Sequence, residues 1–169
     1  KWDPQPNKTQ VSASTGERGT VVDGDAGSGK IDMGGVYYAV HVKERKAFVD
    51  KAEKVALSGK DVVIPDYVEY NGAKYPVTFI AASAFEGAKI NSVKLPSTLK
   101  EIRLKAFWRT DIKELVIPAS VKRIEGAAFS FCTNLTKVTF AGTSMELIEG
   151  CFAGCSKLQS VTFPATLNK

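Results

Sequence analysis

Few side chains in this sequence are of the kinds that carry chemistry, and their spacing serves catalysis poorly. His41 is the only histidine. A hydrolytic triad would need it beside a serine and an orienting carboxylate, and no G-x-S-x-G elbow occurs, so it reads as a solvent-facing turn residue. Gly24-Asp25-Ala26-Gly27-Ser28-Gly29-Lys30 nearly spells a phosphate-binding loop. Such a loop needs a Ser or Thr after the lysine for magnesium and a helix whose N-terminus faces the phosphate. Ile31 follows instead, and Gly34-Gly35 leads into a β-rich stretch, so an ordinary flexible loop is expected. Asp23, Asp25 and Asp32 could suggest a calcium loop, but Gly27, Ser28 and Gly34 occupy ligand position 5, the sharp-turn glycine position and the bidentate glutamate position. The three cysteines lack paired metal-ligand spacing. No enzyme activity, cofactor or metal is expected. Asn7-Lys8-Thr9 and Asn134-Leu135-Thr136 match the glycosylation sequon, which acts only in a eukaryotic secretory pathway.

The elements that would position any site are repeated. Segments 93–114, 115–137 and 138–160 superpose at steps of 22, 23 and 23 residues. Val93, Leu115, Val138 and Val161 form one column; Leu95, Ile117, Phe140 and Phe163 a second; Ile80, Ile102, Ile124 and Leu147 a third; and Phe85, Phe107, Phe129 and Phe152 a fourth. A period in the twenties with one apolar strand per unit marks leucine-rich-repeat architecture, in which no unit buries its apolar face until a neighbour stacks on it. Val-x-Leu-Pro is read as a short strand with alternate side chains inward, ended by a proline that cannot donate to the ladder. Cys132 and Cys155 share a column with Ala88 and Thr110 and are expected to be buried, unbridged thiols. Equivalent side chains on stacked rungs point in parallel and seldom meet the disulfide torsion.

The fold class expected is thus a β-rich leucine-rich-repeat solenoid, conventionally grouped with α/β folds, carrying an N-terminal β-hairpin cap. Residues 1–34, rich in Gly, Ser, Thr, Asp and Pro, read as a linker or tether in which Thr20-Val21-Val22 is the best anchoring strand. Residues 35–61 read as the cap, two strands at Val36–Val40 and Lys46–Val49 joined by the charged His41–Arg45 segment. Residues 62–169 hold the repeats, with Asn71-Gly72 signalling a two-residue hairpin inserted in the first. The last unit opens at Val161 and stops before its Ala-Phe half. No signal peptide or membrane-spanning run is evident. The charge of +5 is interspersed, as in Lys100-Glu101 and Lys113-Glu114, so no nucleic-acid stripe is expected.

The pattern I-P-x-x-V-x-x-I-x-x-x-A-F-x-x-C-x-x-L, clearest in Ile117–Leu135, resembles the BspA-like leucine-rich repeats of bacterial surface proteins. IPDYVEYNGAKYPVTFIAASAF is similar to that family's usual first repeat. Ala88 and Thr110 depart from its cysteine, and Ala141-Gly142 from its proline. The resemblance implies an extracellular or lipid-tethered protein of the bacterial exterior that binds host matrix or other proteins, with no catalytic residues and no membrane contact beyond an N-terminal lipid tether.

Two surfaces are candidates for that partner. The outward strand face would carry Ser92, Lys94, Glu114, Val116, Lys137, Thr139, Ser160 and Thr162. Four rungs about 4.8 Å apart and some five residues long give roughly 340 Å², less than half of the ~800 Å² each partner gives to a standard interface. Trp108 and Phe131 are large aromatics at variable positions, either interface anchors or packing against a neighbouring turn. The expected function is a non-catalytic binding or adhesion module. The alternative is a structural spacer within a larger surface protein.

Overall fold

The computed structural model describes residues 9–11, 18–22, 28–147, 149–163 and 165–168, and every regular element among them is a strand. Strands β1 (Thr9–Val11), β2 (Arg18–Val22), β3 (Ser28–Met33), β4 (Val36–His41) and β5 (Lys46–Ala52) pair antiparallel in order. The β4–β5 hairpin follows the expected strands, with Val36, Tyr38, Val40, Ala47 and Val49 buried on alternate positions. The segment read as a linker differs from expectation, because β3 pairs along its whole length with β4. Its alternation is real but masked by glycine: Gly29, Ile31 and Met33 face inward while Lys30 faces water. Gly29 counts as an apolar position because the Tyr70 ring lies on its backbone where a Cβ would be.

Beyond β5 the order changes from hairpins to parallel stacking. β6 (Asp61–Val63), β7 (Tyr67–Tyr70) and β8 (Ala73–Ile80) open the repeats. β7 and β8 close on Asn71 and Gly72, both at positive φ (49° and 77°), as a two-residue turn of matching twist requires. β9 (Ser92–Lys94), β10 (Glu101–Ile102), β11 (Glu114–Ile117), β12 (Arg123–Ile124), β13 (Lys137–Phe140), β14 (Ser144–Leu147), β15 (Ser160–Thr162) and β16 (Thr166–Asn168) follow. β5, β8, β10, β12, β14 and β16 form one continuous parallel ladder, which joins the hairpin sheet to the repeats. The first strands of the units form two separate ladders, β6–β9 and β11–β13–β15.

Between the ladders lies the core. Val62 and Ile64, Val93 and Leu95, Leu115 and Ile117, and Val138 and Phe140 face inward and are buried, so the period-two reading holds for these four first strands, whereas Val161 of the last is only partly buried. Phe85, Phe107 and Phe129 are fully buried and stacked, at ring distances of 4.8 and 5.2 Å and nearly parallel. Phe152 continues the stack at 5.4 Å but is half-buried. Phe163 stacks on Phe140 at 5.8 Å while 52% exposed. Backbone hydrogen bonds stitch the turns around this column: Phe85, Phe107 and Phe129 donate their N–H groups to the carbonyls of Ala106, Ala128 and Cys151, and Gly87, Arg109 and Phe131 to those of Trp108, Ser130 and Ala153. Stacking therefore satisfies polar backbone as well as burying rings.

Candidate functional site

The residues with catalytic or ligating character have structural roles or lie elsewhere. Asp23, Asp25 and Gly24–Gly27 lie outside the described residues. Lys30 is part of strand β3, 3.9 Å from Asp50. Asp32 accepts the Gly35 N–H at 2.9 Å and holds the turn between β3 and β4. His41 ends β4 rather than sitting in the turn; it packs edge-on against Phe48 at 5.2 Å and lies 3.6 Å from Glu44, which also pairs with Lys46.

None of the cysteines is in a disulfide. Cys132 and Cys155 donate to the carbonyls of Phe107 and Phe129, each at 3.1 Å, and the Thr110 hydroxyl lies 3.2 Å from the Cys132 sulfur. The column thus supplies weak donors to turn carbonyls. The hydrogen bond to Cys132 and burial push the Cys155 thiol well above its ordinary range.

The outward strand face holds the expected residues. Lys94, Glu114, Val116, Lys137 and Thr162 are exposed and Thr139 is partly so. In register they form two rows across the units, Asp61–Ser92 continued by Glu114–Lys137–Ser160, and Val63–Lys94 continued by Val116–Thr139–Thr162. Between β9 and β11 the ladder is interrupted: no backbone hydrogen bond joins residues 91–97 to 113–118. A groove of about 720 Å³ opens there, floored by Leu95 and Leu115 and walled by Val63, Val116 and the strand-ending prolines Pro65 and Pro118. Val63 and Val116 are 42% and 58% exposed. Lys94, Glu114 and Lys137 take part in no ion pair among the described residues, although Glu114 and Lys137 are register partners. Asp61 differs, since the Ser92 hydroxyl and the Asn91 amide donate to its Oδ1 and hold its carboxyl below the ordinary value of 3.8. Val63 was missed in the sequence, although extending the Lys94 column back by one unit reaches it.

Trp108 and Phe131 come together on the turn side. Their rings meet edge to face at 6.1 Å. Trp108 is half-buried and Phe131 is 46% exposed, so packing and exposure coexist in the pair. Phe131 lies over Gly154, where a Cβ would collide with its ring. The Arg109 guanidinium is 4.3 Å from the Trp108 ring centre and 5.7 Å from that of Phe131, and the Lys105 ammonium is 5.6 Å from Trp108. Arg109 and Lys105 carried no sequence signal except their columns.

Residues 67–169 match the BspA type leucine-rich repeat region in six copies. Solved structures share the fold: a leucine-rich cell surface protein from Faecalibacterium prausnitzii A2-165 (TM-score 0.58, 24% identity over 84% of this chain) and a leucine-rich repeat protein from Eubacterium ventriosum (0.58, 21% over 82%). The pneumococcal vaccine antigen PcpA is similar at a TM-score of 0.51, with 17% identity over 96% of the chain. The chain covers only 44%, 41% and 49% of those three. No curated protein matches it in sequence. The chain belongs to the BspA-type leucine-rich repeat family, and its fold is a leucine-rich repeat.

Proposed function

We propose that this family member is a non-catalytic protein-interaction module of the bacterial exterior, and that its partner docks on the outward strand face. The groove at the ladder interruption carries the reading. It combines exposed Val63 and Val116 with Lys94 and Glu114, charges that take part in no ion pair among the described residues, an apolar anchor site rimmed by groups able to set register. Thr139 and Thr162 extend the same row, and Trp108 and Phe131 form a second candidate surface. In this reading the stacked units act as a solenoid from residue 62 onward. The antiparallel strands β3, β4 and β5 cap their first apolar end, β5 pairing with β8. The partner is a host matrix protein or another bacterial surface protein, and adhesion follows if it is the former.

Affinity chromatography tests this. The immobilised chain and a Lys94→Glu, Val116→Glu variant are challenged with extracellular matrix proteins and with bacterial surface extract. The wild type is expected to retain a protein that the variant loses, while melting temperatures differ by no more than about 2 °C, as exposed substitutions allow. Equal retention by the variant would remove the strand face as the site. The second reading, a spacer in a larger surface protein, is supported by the chain's coverage of less than half of its structural relatives. It is favoured if no protein is retained.

A further inference from the structure

We propose that Cys132 and Cys155 together bind a soft monovalent cation of the copper(I) type, held in line between their two thiolates. Register is the first argument. The residues before them in the turn row, Arg109, Phe131 and Gly154, share a left-handed backbone at φ of 57°, 57° and 72°, so Thr110, Cys132 and Cys155 leave three successive turns in the same direction. The Phe131 N–H donates to the Ala153 carbonyl at 2.7 Å and the Phe129 and Phe152 rings stack at 5.4 Å, which sets the last two turns face to face. Both thiols then point alike. Cys132 Sγ is 3.1 Å from the Phe107 carbonyl oxygen and Cys155 Sγ 3.1 Å from that of Phe129, the same partner one unit on. Residues 23 apart in sequence thereby become neighbours across one rung.

Spacing is the second argument. Rungs repeat at about 4.8 Å, and two metal–thiolate bonds of about 2.3 Å laid end to end span about 4.6 Å. A disulfide, with sulfurs about 2.05 Å apart, requires both side chains to turn toward each other. A linear S–metal–S unit fits them as they stand. Thiolates favour soft ions such as copper(I), whereas a zinc site takes four ligands. Among the described residues no group of three or more His, Cys, Asp or Glu side chains could supply those.

The surroundings suit the exchange of protons for metal. Binding breaks two S–H bonds, forms two S–metal bonds and releases both protons to water. The Thr110 hydroxyl, 3.2 Å from Cys132 Sγ, can donate to that sulfur once it is ionised, as outer partners of metal ligands do. The carbonyls that lose a thiol donor keep another, because the N–H groups of Thr110 and Cys132 donate to Phe107 and Phe129 at 3.3 and 3.4 Å. Cys132 is fully buried and Cys155 half-buried, so the ion enters past Cys155 and rests away from water. Cys151 belongs to a different column, its thiol toward the carbonyls of Ile124 and Glu125 at 3.6 and 3.3 Å, and serves as the control.

The site uses none of the strand-face residues and stands whether or not a partner docks there. The reduced chain is titrated under nitrogen with copper(I) as its acetonitrile complex, in competition with bathocuproine disulfonate. One copper per chain should be withdrawn from the chelator, and X-ray absorption at the copper edge should show two sulfur neighbours. Cys132→Ala and Cys155→Ala should each lose retention, Thr110→Val should bind about tenfold more weakly, and Cys151→Ala should bind as wild type. Alanine already occupies this column at Ala88, so the variants keep the turn, and melting curves verify it. Copper should also raise the melting temperature of wild type but not of Cys132→Ala or Cys155→Ala. The proposal is overturned if no copper is withdrawn, if either single variant retains it, or if Cys151→Ala loses it. Zinc(II) bound as tightly, or a product lacking copper and two hydrogens lighter, would overturn it as well, the latter by showing that the pair closes to a disulfide instead.

Discussion

Phe129→Ala tests whether the stacked column holds the units together. The ring is fully buried, with Phe107 at 5.2 Å on one side and Phe152 at 5.4 Å on the other, so truncation opens a cavity that neither rigid neighbour can close. Buried Phe→Ala changes cost about 3–5 kcal/mol, a large part of the 5–15 kcal/mol typical of a whole domain. For a chain of this size each kcal/mol shifts the melting temperature by about 2–4 °C, so a fall of roughly 6–20 °C is expected. Phe152→Ala provides the internal scale. Its ring is half-buried and is stacked on Phe129 alone within the column, so its loss should be about half as large. Urea unfolding followed by circular dichroism measures both, with the slope checked for departure from two-state behaviour because coupling in repeat arrays runs between neighbours. A loss below about 1 kcal/mol for Phe129→Ala, or a larger loss for Phe152→Ala, would refute the stacking argument.

Iodoacetamide should leave Cys132 and Cys151 unmodified in the folded protein, and denaturation without reductant should expose all three thiols; an intact mass showing only one alkylated cysteine would reveal a bridge. Because the Asp61 carboxyl is held below its ordinary value of 3.8, its contribution to stability is present above that pH and lost as the pH falls below it. The melting-temperature advantage of wild type over Asp61→Asn should therefore shrink on acidification, and an advantage that grew would contradict the assignment. Gly29→Val should destabilise by overlap with the Tyr70 ring, and Tyr70→Ala should relieve it, with a coupling of about 0.5–3 kcal/mol in a double-mutant cycle. Additive effects would mean that the ring and the strand do not press on each other.

The repeat columns were legible in the sequence because stacking makes equivalent residues physical neighbours. Once Phe107 and Phe129 share a position, their rings must meet if the units pair in register. The inserted hairpin was equally legible, since Asn71-Gly72 leaves few alternatives to a tight turn. What escaped was β3, because Gly29 acts as a core residue only through contact with Tyr70, forty-one positions away. The ladder interruption escaped for a related reason. β9 and β11 have the same strand pattern as β11 and β13, and nothing local in Ser92–Lys94 or Glu114–Ile117 announces that their facing edges do not bond. The candidate surface residues were placed on the right face by alternation alone, but Asp61, Val63, Lys105 and Arg109 entered only when the structure put them beside residues already named.

The turn row shows why such a fold can vary its surface without losing its core. The N–H groups of Arg109 and Phe131 are held by the carbonyls of Ser130 and Ala153 at 3.0 and 2.7 Å, the bond that Gly87 makes to Trp108. Neighbouring units therefore impose the left-handed backbone whatever the side chain, and a non-glycine residue there costs on the order of 1–3 kcal/mol without redirecting the chain. That cost is set against a column of rings, each of which contributes about 1.5–3 kcal/mol by burial before any stacking is counted. The core can thus absorb strain at the turns. The side chains at Arg109 and Phe131 can accordingly vary without loss of the core, and so can the exposed Lys94 and Glu114, which take part in no ion pair among the described residues.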